Sequence, residues 1–444
     1  MNPFIRAIVL TMLLLVAVAR APAAPPAETM PPEKSVLPNG MTVILQEDHS
    51  SRVVSLSAFV KIGARHESGA TAGVRYFLQQ MLRRGTSRQT AQEIEGKLAD
   101  IGAGMDVTVG DDYVELYATG GGPNTAFLVS LMGEVLLEPR FDPAEIEKAR
   151  KDILSQLDGH NDHIRSWAYQ SLRESLYQDV ADQPFAYALP PIGRESSIQR
   201  IQKEHLLNYH RLYYVPNNTV LVAVGDFDTP QTLQQVRETF EGSQPRDLPK
   251  SFSTEFMEPS DYHLDVKERD VDAAWLLAGY RLPPASSSDA VPLRVVSALL
   301  GEGMGSLLYK DLRNREAIAY EAASTFTPRV YACELLIYLQ TNPMEIDHAK
   351  ERVFANIESL QTQSVSQADL RRAIEYASGT FALAHMRTRE RAWHYALFES
   401  LGLGYEFDLH FAQKMRQVTA ADVQRVCKQY LNCASFVLVM PSAL

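Results

Sequence analysis

Tyr76, Gln79 and Gln80 lie in a stretch, Gly73 to Leu82, whose apolar members Val74, Phe77, Leu78, Met81 and Leu82 recur at helical spacing. The spacing predicts an amphipathic helix with one face in a core and Tyr76, Gln79 and Gln80 off the apolar stripe. Tyr76 and Gln80 are four apart, so they stack one turn above the other. Two side chains so placed can share a cation. A phenol and an amide are nevertheless poor zinc ligands beside imidazole and carboxylate.

Other clusters of reactive side chains carry less. His160 and His163 with Asp158 and Asp162 read as a solvated turn after a helix. His205 and His210 are five apart, on different faces of a helix, which argues against shared ligation. His385, Arg387, Arg389 and Arg391 make a basic patch on a helix rich in Ala and aromatics, read as a solvated or interdomain face. Gly120-Gly121-Gly122-Pro123 reads as a turn and lacks the Lys-Ser/Thr of a phosphate loop. Gly301 to Ser306 is Gly-rich but follows a helical pattern, which excludes a dinucleotide fingerprint. No His-Glu-x-x-His and no Gly-x-Ser-x-Gly occurs. The 3 cysteines, Cys333, Cys427 and Cys433, are too few for a disulfide scaffold, and whether Cys427 pairs with Cys433 stays open.

The elements that must position these residues follow from patterning. Residues 1–23 read as a cleavable signal peptide: Arg6, an apolar run from Ala7 to Ala19, then Ala21-Pro22-Ala23. Export to a periplasm is expected, with no stable membrane insertion. Strands are predicted at 41–45, 53–60, 113–118 and 219–226, and helices from Thr90, Asp142 and Thr229. Gly242, Pro245, Pro249 and Pro259 punctuate a linker. The plan then repeats: a strand at 273–282, a helix at 290–300, a strand at 333–340, helices from about Glu345 and Ser366, and a final strand at 434–440. This is an α+β duplication: two homologous α/β-sandwich halves, residues 24–245 and 262–444, joined clamshell-like by residues 246–261. The 444 residues are 45% hydrophobic and 22% charged, ample for such cores, and the net charge of −11 argues against a nucleic-acid surface.

Leu37 to Val43, Gly63-Ala64-Arg65-His66-Glu67, the Tyr76 helix and Arg84-Gly85-Thr86 together resemble the pitrilysin family of inverzincin zinc peptidases. The branch is that of two-domain subunits, which includes the mitochondrial processing peptidases. In the family this helix carries His-x-x-Glu-His, two zinc ligands and a water-activating glutamate. Here those positions read Tyr76, Gln79 and Gln80. The third ligand, a glutamate on a later helix, falls on Gln156 within Lys151 to Leu157. The resemblance therefore implies a degenerate zinc site with no metal in this chain.

One family motif survives. Leu312 to Tyr320 resembles a Leu-Arg…Gly-Leu-Ala-Tyr segment, placing its Arg on Arg313 and its Tyr on Tyr320; Ala317 stands at the family's Gly and Ile318 at its Leu. The family's pair faces the zinc across the chamber between the halves. A guanidinium offers fixed donors to substrate carbonyls, and a phenol can donate to a growing oxyanion. The resemblance thus implies a non-catalytic, substrate-binding subunit of a heterodimeric periplasmic zinc peptidase. It would act on unfolded peptides beside a homologous partner that keeps His-x-x-Glu-His and its zinc. The alternative is a scaffold or peptide-binding protein with the same fold and no hydrolysis.

Overall fold

The apolar runs predicted as strands near 219–226 and 273–282 are buried along their whole length, because each strand is covered on both faces. The computed structural model describes residues 29–177, 186–249 and 263–442. The predicted signal peptide and most of the predicted linker lie outside these residues.

The first half holds β1 (Glu33–Val36), β2 (Thr42–Glu47), β3 (Val53–Val60), β4 (Gly104–Val109), β5 (Val114–Gly121) and β6 (Thr219–Gly225). They form one 6-stranded sheet, in the order β1-β2-β6-β3-β5-β4, with only β2 and β6 parallel. Its helices are α1 (Val74–Leu82), α2 (Ala91–Asp100), α3 (Thr125–Leu137), α4 (Pro143–Asp162), α5 (Ile164–Leu176), α6 (Lys203–Tyr213) and α7 (Thr229–Phe240), with a single turn at Glu195–Ile198.

The second half holds β7 (His263–Arg269), β8 (Ala274–Leu282), β9 (Ala319–Thr327), β10 (Cys333–Thr341) and β11 (Ser435–Pro441) in a 5-stranded sheet, ordered β7-β11-β8-β10-β9. Only β7 and β11 are parallel. Without β1, the two sheets have the same order and directions. The duplication expected from sequence is real. The helices here are α8 (Ala290–Gly301), α9 (Ile346–Thr362), α10 (Gln367–Ala384), α11 (Thr388–Ser400), α12 (Glu406–Arg416) and α13 (Ala420–Tyr430).

Local signals explain the starts of the helices that matter. Thr90 accepts from Glu93 N while Glu93 accepts from Thr90 N at 2.8 Å, a reciprocal cap for α2. Asp142 accepts from Ala144 N at 2.8 Å, and Pro143 occupies the first position of α4. Two expectations need correction. Gly120 and Gly121 continue β5 rather than form a turn, because Gly120 leaves room for Leu128 and Ala103 against the strand. His160 is still inside α4, and His163 is the joint between α4 and α5. The three cysteines are unpaired, with Cys333 and Cys427 buried.

The halves exchange helices. α5 packs its Ala168 and Leu172 on Trp275, Leu277, Val437 and Val439 of β8 and β11. In return α11 lies on the equivalent strands β3 and β6, with Ala392, Tyr395 and Ala396 in one core with Phe59, Val220, Val222 and Val224. This exchange is why the central strands lack polar alternation. The same seam carries ion pairs. Arg329 is fully buried between Asp111 (2.6 Å) and Glu334 (2.8 Å), and Arg173 of α5 meets Asp111 at 2.8 Å. The two guanidiniums outweigh burial and hold the Asp111 carboxyl well below its usual range. The patch expected at His385 to Arg391 belongs here too. Arg389 reaches the buried Glu115 at 2.8 Å, Arg391 bonds Asp48, and His385 bonds Asp408 at 2.9 Å. No helix among the described residues is long and apolar enough to cross a membrane.

Candidate functional site

Two buried charges set the position of α1. Glu67 Oε1 accepts from Arg75 N at 2.9 Å and pairs with Arg75 Nε at 3.3 Å, while Arg75 Nη1 donates to Gly110 O at 2.7 Å. Gly63 must be glycine, because a Cβ there would meet Asp111 O at 2.4 Å. The Gly63 to Glu67 motif is thus the mount of α1. Gly73 starts the helix at φ +86, against Gly193.

From this mount Tyr76 points at α4. Its Oη donates to Gln156 Oε1 at 2.6 Å. Burial raises the phenol pKa, so the proton stays on oxygen. Gln80 is half-buried beside them, one turn on. The structure therefore brings together the two helices on which the resemblance places the ligand positions.

Gln79 corrects the reading of the helix face. It is 1% exposed, not off the stripe. Its Oε1 accepts from Tyr214 Oη at 3.1 Å and its Nε2 donates to Glu115 O at 3.0 Å. A polar side chain belongs in this core because both ends of its amide are satisfied. Where the resemblance expects a water-activating carboxylate, the amide of Gln79 is engaged with the scaffold. A zinc ion does not fit this donor set: a protonated phenol spent on an amide, two neutral amides, and no carboxylate or imidazole. Among the described residues no group of three His, Cys, Asp or Glu side chains could hold a metal, the His160/His163 cluster included. His205 Nδ1 accepts from Gln202 N at the start of α6 and His210 Nε2 donates to Leu136 O, so those two never meet.

Arg313 and Tyr320 are brought together by an unusual piece of backbone. Tyr309–Arg315 is a π-helical turn, and its buried Asp311 is held by Arg352 at 2.8 Å and by Asn356 at 2.5 Å. The chain then reverses through Ala317 at φ +56, and Ile318 N closes the turn on Leu312 O at 2.9 Å. Left-handed backbone at a non-glycine residue costs about 1–2 kcal/mol. The reversal returns Arg313 to the start of β9, where Nη1 donates to Ala319 O at 3.3 Å and to Tyr320 O. Among the described residues Arg313 Nε and Nη2 donate to nothing.

Tyr320 sits on a β-bulge of an edge strand. Gln340 pairs with Glu321 and Thr341 with Ala319, so Tyr320 is the extra residue. Regular alternation would put it on the face of Ser324, which bonds Ser297 O of α8 at 2.7 Å. The bulge frees it from that alternation, and it is 57% exposed.

One connection was not legible in the sequence. Arg165, in the first turn of α5, meets Glu321 at 2.7 Å, and Tyr338 Oη also donates to Glu321 at 3.1 Å. α5 follows α4, which bears Gln156, across the extended joint at His163, so two successive helices link the Tyr76–Gln156 pair to the strand of Tyr320. Tyr76 and Gln156 make no direct contact with Arg313 or Tyr320; the residue types on either side of that bridge gave no signal.

The chain matches two family models, Insulinase (Peptidase family M16) over residues 42–186 and Peptidase M16 inactive domain over residues 200–376. An uncharacterized zinc protease of Mycobacterium leprae is 24% identical over 406 residues, 90% of this chain and 89% of that one. The fold is similar to that of a protease from Helicobacter pylori, with a TM-score of 0.84 at 21% identity over 93% of this chain and 100% of that one. It is likewise similar to a peptidase M16 inactive domain from Pseudomonas fluorescens, with a TM-score of 0.83 at 18% identity over 93% and 98%. With both family models matched along its two duplicated halves, this chain belongs to peptidase family M16.

Proposed function

We propose that this chain is the substrate-binding, non-hydrolytic subunit of a two-subunit zinc peptidase, exported by its leader to the periplasm. The observation that carries this reading is the Tyr76–Gln156 hydrogen bond, which fills the metal position with a neutral pair. The partner is a homologous M16 subunit that keeps His-x-x-Glu-His and holds the zinc. The similarity to a peptidase M16 inactive domain from Pseudomonas fluorescens supports a division of labour of this kind.

In this reading the chain's own residues bind and orient an unfolded peptide. Arg313 is preset by its bonds to Ala319 O and Tyr320 O, and its unspent Nε and Nη2 hydrogens donate to substrate carbonyls. The exposed phenol of Tyr320 donates to the substrate oxygen on which negative charge develops during hydrolysis. β4, an edge strand paired only with β5, lies against α1 and offers backbone groups to an extended peptide.

The test is co-expression with an M16 subunit of the same organism that retains His-x-x-Glu-His. Cleavage of a peptide library is measured for each subunit alone and for the mixture. Activity confined to the mixture is expected. Hydrolysis by this chain alone would overturn the reading, and a partner whose activity is unaffected by this chain would favour a scaffold without a role in hydrolysis.

A further inference from the structure

In the second half, helices α8, α10, α11 and α12 line a half-open cavity of about 280 Å³. Six aromatic rings contribute to its wall: Phe326, Phe381, Trp393, Phe398, Phe407 and Phe411. Phe381 and Phe411 stand edge to face at 5.1 Å, and His394 meets Phe381 edge to face at 5.3 Å. Such rings attract another aromatic at the same offset and tilted geometries. An apolar cavity of about 150 Å³ holds benzene, so this volume takes two fused rings.

The polar atoms of the wall say what else the occupant must carry. Arg294 is paired with both oxygens of Glu302, at 2.7 and 3.0 Å, so its charge is already balanced. Trp393 Nε1 donates to Tyr113 Oη at 3.1 Å. The Thr380 hydroxyl donates back to its own helix, to Tyr376 O and Ala377 O. His394 Nδ1 lies 2.7 Å from Glu390 O, a carbonyl that only accepts, so Nδ1 carries the proton and Nε2 is left as an acceptor. Burial favours the neutral ring. Among the described residues no side chain bonds His394 Nε2. The wall thus presents no unbalanced positive charge, which argues against carboxylates and phosphates, and one imidazole acceptor, which suits an N–H donor. Thr380 is exposed and Ala384 half-buried, so the mouth lies at the end of α10, beside the exposed Leu383 and Met386.

We propose that this cavity is a binding site for an indole-class ring, two fused rings with one N–H that donates to His394 Nε2. The ring belongs either to a free small molecule or to a tryptophan side chain of a peptide, and the same chemistry recognises both. Because α11 carries Trp393, His394 and Phe398 and also covers β3 and β6, occupancy braces the seam between the halves.

Calorimetric titration of the whole mature chain tests the proposal with three probes: indole, 1-methylindole and N-acetyl-tryptophanamide. Indole is expected to bind saturably below about 1 mM, and 1-methylindole, which lacks the donor, about five- to tenfold more weakly. Binding of N-acetyl-tryptophanamide at similar strength assigns the site to a peptide side chain; indole binding without it assigns the site to a free aromatic. Ala384→Phe, which fills the mouth, should abolish binding, and His394→Phe should make indole and 1-methylindole equal. The proposal is overturned if no ring binds at millimolar concentration, if indole and 1-methylindole bind wild type equally, or if indole binding survives Ala384→Phe.

Discussion

Tyr76 Oη donates to Gln156 Oε1 at 2.6 Å, joining α1 to α4 by a neutral hydrogen bond at two positions where the sequence resemblance expects metal ligands. The bond keeps the two helices in register without a cation. Three residues on, Gln79 ties α1 to Tyr214 and to β5. Tyr76, Gln79 and Gln156 are thus all engaged within the scaffold, and in the proposed reading the chemistry lies with Arg313 and Tyr320.

Tyr320→Phe keeps the ring and removes the donor. In the mixed enzyme it should lower kcat about 100- to 1000-fold, with KM within about threefold and assembly intact, because no described contact depends on the phenol oxygen. Steady-state kinetics with size-exclusion chromatography checks this. Unchanged kcat would remove Tyr320 from the mechanism.

Ala317 adopts φ +56 on an exposed turn, so its side chain contributes little packing to set against the strain. Ala317→Gly should hold or raise stability, by up to about 1 kcal/mol, since the relief of strain is offset in part by the freer unfolded chain. Ala317→Val should lose at least about 1 kcal/mol, because a β-branched residue is still less compatible with this conformation. Urea midpoints of the two variants rank them; a more stable Val variant would contradict the strain argument.

How much of this was readable in advance depended on whether the cause was local. β3 is predicted to the residue, and so are the caps at Thr90 and Asp142, because period-2 patterning and cap chemistry act over a few residues. The twofold α+β plan was legible for the same reason. The burial of Gln79 was not, since its partners Tyr214 and Glu115 come from distant segments. The seam was legible only as one of two readings: α11 shows no clean apolar stripe because it is covered on both sides, and Glu115 and Asp48 of the other half decide between a solvated and an interdomain face for Arg389 and Arg391. The bulge at Tyr320 left no mark in composition either, as it depends on the register against β10.

Arg329 joins the halves from full burial. Arg329→Met strands Glu334 without its cation and leaves Asp111 with Arg173 alone, so a loss of about 3–5 kcal/mol is expected. Adding Glu334→Leu should recover part of that loss by removing the stranded charge. Denaturant unfolding of the single and double variants checks both statements, and a near-neutral single variant would refute them.

His66 is held neutral. Burial and the adjacent Arg65 charge push its pKa down to about 4, and Gly63 N donates to its Nδ1 at 2.9 Å. The folded chain therefore takes up this proton less readily than the unfolded chain, whose histidines titrate near about 6.5. Its contribution to stability is complete above that value and is lost as pH falls toward 4, by up to about 3 kcal/mol. His66→Gln keeps an acceptor for Gly63 N–H and should flatten stability between about pH 6.5 and pH 4 relative to wild type. Parallel curves for the two proteins would contradict the assignment.

The most direct test of the central claim is the zinc stoichiometry of this chain purified alone, loaded with zinc and dialysed. The donor set of Tyr76, Gln80 and Gln156 predicts well below about 0.1 zinc per chain, unchanged in Gln156→Ala. A value near about one zinc per chain that Gln156→Ala abolishes would contradict it.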